Sequence, residues 1–428
     1  MPKRGNVMGK MLSLITGIIA VLAVSGCDEG AFTDITGEVE TNYFHGTQKL
    51  LASDGAGSDE FGHYVAVSAD GSTVVASSHV DDGSRGSAYV YRWNGQSWVE
   101  KKLTASDGAA SDGFGRSVAV SADGSIVVVG APADDTPETY NHGSVYVFRW
   151  NGSAYVQAQK LQASPLFGNA YFGTGVAVSG DGSRIAAGAV YVGLDGGSPW
   201  GAVYIFRRNG STYELLGSAL NAPTPQNYDS FCKVALSSDG STLAVGAMGY
   251  DSNKGVVFVL QWDGSNYSNC QRLATMNQTN GEELGYCISI SADGSTVVAG
   301  ARSYSSSRGA VYVFRRNGSS YTQVNKLIAS DGINGDGFGI SVAVSGDGGR
   351  VTTGAYNDDE TFTDQGSAYL YRWNGTEYVL SKKILADDVA ANNYYYGSGI
   401  ALSADDSMLV VGAYGYSSSQ STMWLYAD

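Results

Sequence analysis

Three stretches of the chain set four aspartates at matching places. Asp54, Asp59, Asp81 and Asp82 form the first set, and Asp107, Asp112, Asp134 and Asp135 the second. The third is Asp331, Asp336, Asp358 and Asp359. In each set two acids precede one strand-like segment and two follow the next, so the carboxylates are expected at neighbouring strand ends. Carboxylates that converge repel one another unless a cation sits among them, and oxygen-rich clusters suit Ca2+. The competing reading is that aspartate favours tight loops and was copied along with the segments around it. Calcium is the ion this pattern suggests.

Other chemistry is sparser. The histidines are His45, His63, His79 and His142, and none recurs at a fixed spacing. His63 and His79 are expected to approach each other beside the first acidic set, as a metal or acid–base pair. The sequence contains no HExxH or comparable catalytic motif, so no enzyme is expected. Tyr250, Tyr304 and Tyr416 stand where the acidic stretches place their first loop aspartate, and Tyr140, Tyr191, Trp200, Tyr228, Tyr356, Tyr394 and Tyr395 fall on the same side. Exposed tyrosines offer large contact area at small entropic cost and suit a protein or glycan ligand; the alternative is packing between repeats. Cys232 and Cys287 follow the same anchor in successive repeats and are expected to lie near enough for a disulfide, with Cys270 free. An odd number of cysteines beyond Cys27 excludes a disulfide framework.

The elements that position these groups come from a repeat. The phrase FG-x-x-VAVS-x-DG is anchored at Phe61, Phe114, Phe172, Phe231, Leu284, Phe338 and Tyr396, at steps of 53, 58, 59, 53, 54 and 58. Each copy reads as four short strands. "SVAVS" stops at an Asp-Gly turn, "STVVVGA" is rich in β-branched residues, and "GSVYVFRW" breaks at Asn-Gly before a fourth strand such as "SAYVQAQKL". Four-stranded units repeated radially make an all-β seven-bladed propeller. The last copy ends after its third strand, and "GTQKLLASDG" at 46–55 matches the missing fourth, so the N-terminal strand is expected to close the last blade. The Asp-Gly and Asn-Gly turns then lie on one face. Long, variable loops lie on the other, the side where function is expected.

The ends and the charge set the context. Residues 1–26 read as a basic start, a short apolar run and small residues, an export signal. "VSGC" resembles a bacterial lipobox, which implies lipidation at Cys27, a tether over 27–45 and the propeller over 46–428. Without the signal the chain keeps 23 basic against 41 acidic residues, a net charge of −18, which excludes nucleic acid as a partner.

"FG" and "VVVGAP" (Val127 to Pro132) resemble the FG-GAP repeat of integrin α-subunits and many bacterial surface proteins. The resemblance implies the propeller fold over about residues 47 to 428. It departs from the family at the calcium loop: the D-x-[DN]-x-[DN]-G pattern is replaced by a tight "ADGS" or "GDGS" turn with one aspartate, too short to wrap an ion. The expected protein is a membrane-anchored, periplasmic or cell-surface module, monomeric, that binds a protein or glycan through its variable face. A lectin-like module is the second reading, and a hydrolase or lyase on the same scaffold the third.

Overall fold

A computed structural model describes residues 47–427 except 166–167, 193–199, 225–228, 274, 276–277, 388–391 and 416–420. The expected signal, tether and Cys27 lie outside the described residues, as do Tyr228 and Tyr416.

Strand after strand follows the repeat. The chain forms seven four-stranded antiparallel sheets. Blade one runs Val65–Val67, Thr73–Ser78, Ser87–Trp93 and Trp98–Leu103. Its second strand is buried along its whole length, as are Ile126–Ala131, Thr242–Ala247 and Thr296–Ala301. Small and β-branched residues in an unbroken run suit a strand covered on both faces. The cores lie between blades, where the anchor aromatics are seated. At one seam Phe61, Val74, Tyr89 and Tyr91 of blade one pack with Ala401, Val410, Met423 and Leu425 of blade seven.

The glycines of the repeat set how closely blades approach. A Cβ on Gly130 would stand 2.0 Å from the carbonyl oxygen of Gly173 in the next blade, and Gly173 itself has φ +93°. Only glycine fits that contact. Blade four solves it differently: the segment from Phe231 to Ser237 is one residue shorter than its counterparts. Cys232 takes the glycine's place there, its carbonyl against Gly188.

The opposite face is held by the Asp-Gly turns. In blade two the Asp123 carboxylate accepts from the Ser121 hydroxyl (2.6 Å) and the Ser125 amide (2.9 Å), and Ser121 Oγ accepts from the Ile126 amide (3.0 Å). The same three bonds recur in every blade, for example at Ser345, Asp347 and Arg350. The turns are also linked to one another. The amides of Ala69, Ala122, Gly180, Ser238, Ala292 and Gly346 each donate to the corresponding carbonyl one blade on, and the Asp405 amide donates back to Ala69. This ring closes the propeller.

Blade seven is completed as the sequence implies. Thr47–Leu50 pairs antiparallel with Thr422–Ala427, with Gln48 opposite Leu425 and Leu50 opposite Met423. Three loops on the variable face differ from the expected plain loops. Asp81–Ser84, Tyr250–Asn253 and Tyr304–Ser307 make single turns whose middle residues are left-handed, such as Asp251 (φ 48°) and Ser252 (φ 62°). Asp, Asn, Ser and Gly in these loops include the residue types that tolerate that conformation best.

Candidate functional site

The acidic sets are built around lysine. In blade one the Lys102 ammonium lies 2.7 Å from both Asp54 and Asp81, and the Tyr89 hydroxyl donates to Asp54 (2.6 Å). Blade two repeats this with Lys160, Asp107, Asp134 and Tyr146. Blade six does so with Lys383, Asp331, Asp358 and Tyr369, adding Glu360. Each lysine lies directly across the sheet from its tyrosine. The lysine bonds hold the Asp54 carboxyl below its ordinary value. At Asp107 and Asp331 burial is the largest influence and pushes upward, but the lysine, the tyrosine hydroxyl and the backbone together bring the net direction down. The remaining acids stand apart from the lysine pairs. Asp59, Asp112 and Asp336 accept backbone amides from Ala56, Ala109 and Ile333 at 2.6–2.7 Å. Burial raises Asp112 and Asp336, with neighbouring aspartates adding to it. Asp82 pairs with Arg85, while Asp135 and Asp359 accept the amides of Asn141 and Asp364.

The tyrosine positions split. Tyr250 is buried, edge-on to Phe258 with the Arg272 guanidinium over its ring, so it packs within the blade and is not a free ligand contact. The Lys326 ammonium sits 3.3 Å from the Tyr304 ring centroid. Tyr394 is buried against Trp424. Tyr140 and Tyr191 are exposed, and Trp200 is partly buried. Among the described residues, Cys232, Cys270 and Cys287 are free thiols. The expected Cys232–Cys287 bond is not formed: Cys287 Sγ donates to the Gly339 carbonyl of blade six (3.1 Å), while the Cys232 backbone abuts Gly175 and Gly188 of blade three. The two residues serve different seams. Burial pushes their thiols up to about 12 and 11, away from reactivity.

A second site appears at the axis. The first strands surround a cavity of about 190 Å³, lined by Val65, Val118, Val176, Val234, Ile288, Val342 and Ile400, one from each blade. Three repeat positions crowd its mouth on the variable face: the residue before the anchor, the second after it, and the residue following the second strand. The first of these is left-handed in all seven blades, at Glu60, Gly113, Tyr171, Ser230, Glu283, Gly337 and Tyr395. That conformation turns the chain into the strand and brings the three positions together. In blade five they are Glu283, Tyr286 and Arg302: Arg302 Nε donates to Glu283 (3.0 Å), and its guanidinium lies 4.0 Å from the Tyr286 ring centroid. In blade seven Tyr395 stacks on Tyr414 at 5.0 Å.

In blade one the three positions are Glu60, His63 and His79. His63 Nδ1 lies 2.9 Å and His79 Nε2 3.4 Å from Glu60 Oε2. The His63 ring is sandwiched between Tyr64 and Tyr414, at 4.5 and 4.4 Å. Burial pushes His63 below its ordinary value, with Arg116 and Lys233 adding to the effect and Glu60 opposing it. His79 is pushed down by burial first, then by His63 and Arg116. Both shifts favour the neutral imidazole. Arg116 donates to the Tyr64 hydroxyl and lies over its ring, and Lys233 lines the cavity. The sequence reading found the two histidines but not Glu60, Tyr414 or the cations. Their signal was the repeat register read at three fixed positions.

Residues 44–91, 98–148 and 321–371 match the FG-GAP repeat family. Those three segments carry the FG-GAP repeat. Each matched segment spans strands of the propeller just described, and the remaining blades repeat the architecture with altered anchors such as Leu284 and Tyr396. No curated protein matches the chain. Among solved structures, a chain of Kuenenia stuttgartiensis hydrazine synthase is similar in fold, with a TM-score of 0.55 and 13% identity, covering 85% of this chain and 94% of that one. At that identity the FG-GAP propeller shares its fold with that protein and nothing further follows.

Proposed function

We propose that this FG-GAP propeller is a binding module whose partner, a protein or a glycan, seats on the variable face over the axial mouth. One observation carries the reading. Tyr286, Tyr356, Tyr395 and Tyr414, all half-buried, gather there with Arg116, Lys233 and Arg302, in a chain whose formal net charge is −15. Fixed aromatic rings with a few placed polar groups in a concavity are what a ligand site requires. Arg302 is paired with Glu283 and Glu60 stands nearby, so Arg116 and Lys233 leave a small local excess of positive charge, which favours a partner group bearing a carboxylate or sulfate. The FG-GAP family is generally non-catalytic, in keeping with a module that binds.

The partner is expected outside the cytoplasm, with Cys27 carrying a lipid anchor. A radiolabelled fatty acid should enter the wild-type chain and not a Cys27→Ala variant; equal labelling removes the anchor from the reading. The binding site is tested on an array of neutral and acidic glycans. Binding that Lys233→Ala and Tyr414→Ala abolish supports a glycan at the mouth. Glycan binding untouched by both substitutions places the site elsewhere and overturns the assignment.

A further inference from the structure

We propose that Glu60, His63 and His79 form a site for a divalent transition-metal ion of the zinc class at the axial mouth of blade one. One donor atom from each residue lies within 4.8 Å of the other two, and among the described residues no other three His, Cys, Asp or Glu side chains do so. An ion with bonds of about 2.0–2.2 Å to nitrogen and oxygen holds its donors about 3–4 Å apart, and the two imidazole nitrogens lie 2.9 and 3.4 Å from the Glu60 oxygen. The convergence belongs to the fold. The same positions bring Glu283 to Arg302 in blade five and Tyr395 onto Tyr414 in blade seven. Blade one alone fills them with two imidazoles and a carboxylate.

The donor set decides which ion. Imidazole nitrogen suits zinc, cobalt, nickel and copper, whereas calcium takes oxygen ligands. This site is therefore distinct in chemistry from the calcium suggested by the aspartate sets. Stacking between Tyr64 and Tyr414 fixes the His63 ring, so little side-chain freedom is lost on binding. Three protein donors beside an open cavity leave a coordination position free, as in sites that take an exogenous ligand. Arg116 and Lys233 weaken the hold on a cation, and the same charges draw an anionic group to the open position. The ion can be bound whether or not the module binds a glycan, so this inference stands apart from the proposed function.

The untagged full-length chain, stripped with chelator and dialysed, is titrated with Zn2+ by calorimetry and with Co2+ by visible absorption. One saturable equivalent is expected, with a cobalt d–d band and no response to Ca2+. Glu60→Gln and His79→Gln should each weaken Zn2+ binding more than about tenfold, since loss of even an outer-shell partner costs that much. Cys270→Ser should leave it unchanged. Absence of saturable binding by the wild type overturns the proposal, as does equal binding by both variants. If a variant fails to fold, the wild-type stoichiometry and cobalt spectrum decide alone.

Discussion

Asp406 shows how a single residue departs from the repeat. In the other six Asp-Gly turns its place is held by glycine, with φ between 64° and 70°; Asp406 is held at φ 65°. Its side chain is largely buried, with Arg350 Nε no nearer than 3.8 Å. Burial pushes its carboxyl up to about 6, Arg350 opposing and Asp347 adding. Asp406→Gly relieves a left-handed non-glycine residue and a poorly solvated charge, and should stabilise by about 1 kcal/mol at pH 7. The sign with pH follows from linkage. A carboxyl raised in the folded state binds its proton more readily there than when unfolded, so the wild type loses stability as pH rises through about 6. The gain from Asp406→Gly should therefore be larger at pH 7.5 than at pH 4.5, as read from urea midpoints. An equal gain at both would mean the carboxyl is not perturbed. Single residues of this kind were hard to read in sequence. "ADDS" looks like a conservative turn until its left-handed backbone is known, and Glu60 looks like a loop acid until His63 and His79 are placed beside it.

At the scale of the blade, one cross-strand pair recurs with different company. An aromatic residue on the third strand faces a cation on the fourth: Tyr89 and Lys102, Tyr146 and Lys160, Phe258 and Arg272, Tyr312 and Lys326, Tyr369 and Lys383, Trp424 and Lys49. The loop above supplies an aspartate in blades one, two and six and a tyrosine in blades four and five, and each meets the cation. The sequence showed the aspartates and tyrosines alternating at one position but not why, because their common partner is two strands away. Lysine supplies the positive charge that converging carboxylates need. Lys383→Met leaves Asp331, Asp358 and Glu360 facing one another and should cost about 2–3 kcal/mol. Lys326→Met removes mainly contacts with the Tyr304 and Tyr312 rings and should cost about 1 kcal/mol. Millimolar Ca2+ should restore part of the loss in Lys383→Met and none in Lys326→Met, measured as melting temperature against equal ionic strength of NaCl. Equal costs, or no calcium effect on Lys383→Met, would show that the acids do not depend on the lysine.

Over the whole molecule, the seven-fold repeat and its closure were legible because each blade restates the same anchor, turn and strand order. The axial mouth was not, since its residues come from three separated positions and differ in every blade. Closure itself rests on two contacts made by residues far apart in the chain. The strand Thr47–Leu50 completes blade seven, and the Asp405 amide returns the ring of turn bonds to Ala69. Leu50 and Ala52 also join the core shared by blades one and seven. Deleting residues 46–55 should therefore uncover Thr422–Ala427 as an unpaired edge and open that seam. The ring at Ala69 holds the other end of the same seam, so the propeller should remain folded but weakened. The expected result is a melting temperature lower by several degrees, together with concentration-dependent association through the exposed edge. Supplying the deleted segment as a free peptide should reverse both effects, because the register from Thr47 opposite Tyr426 to Leu50 opposite Met423 needs no covalent link. An unchanged melting curve for the deletion would mean that the seven-bladed ring is held by its turns and inter-blade cores alone.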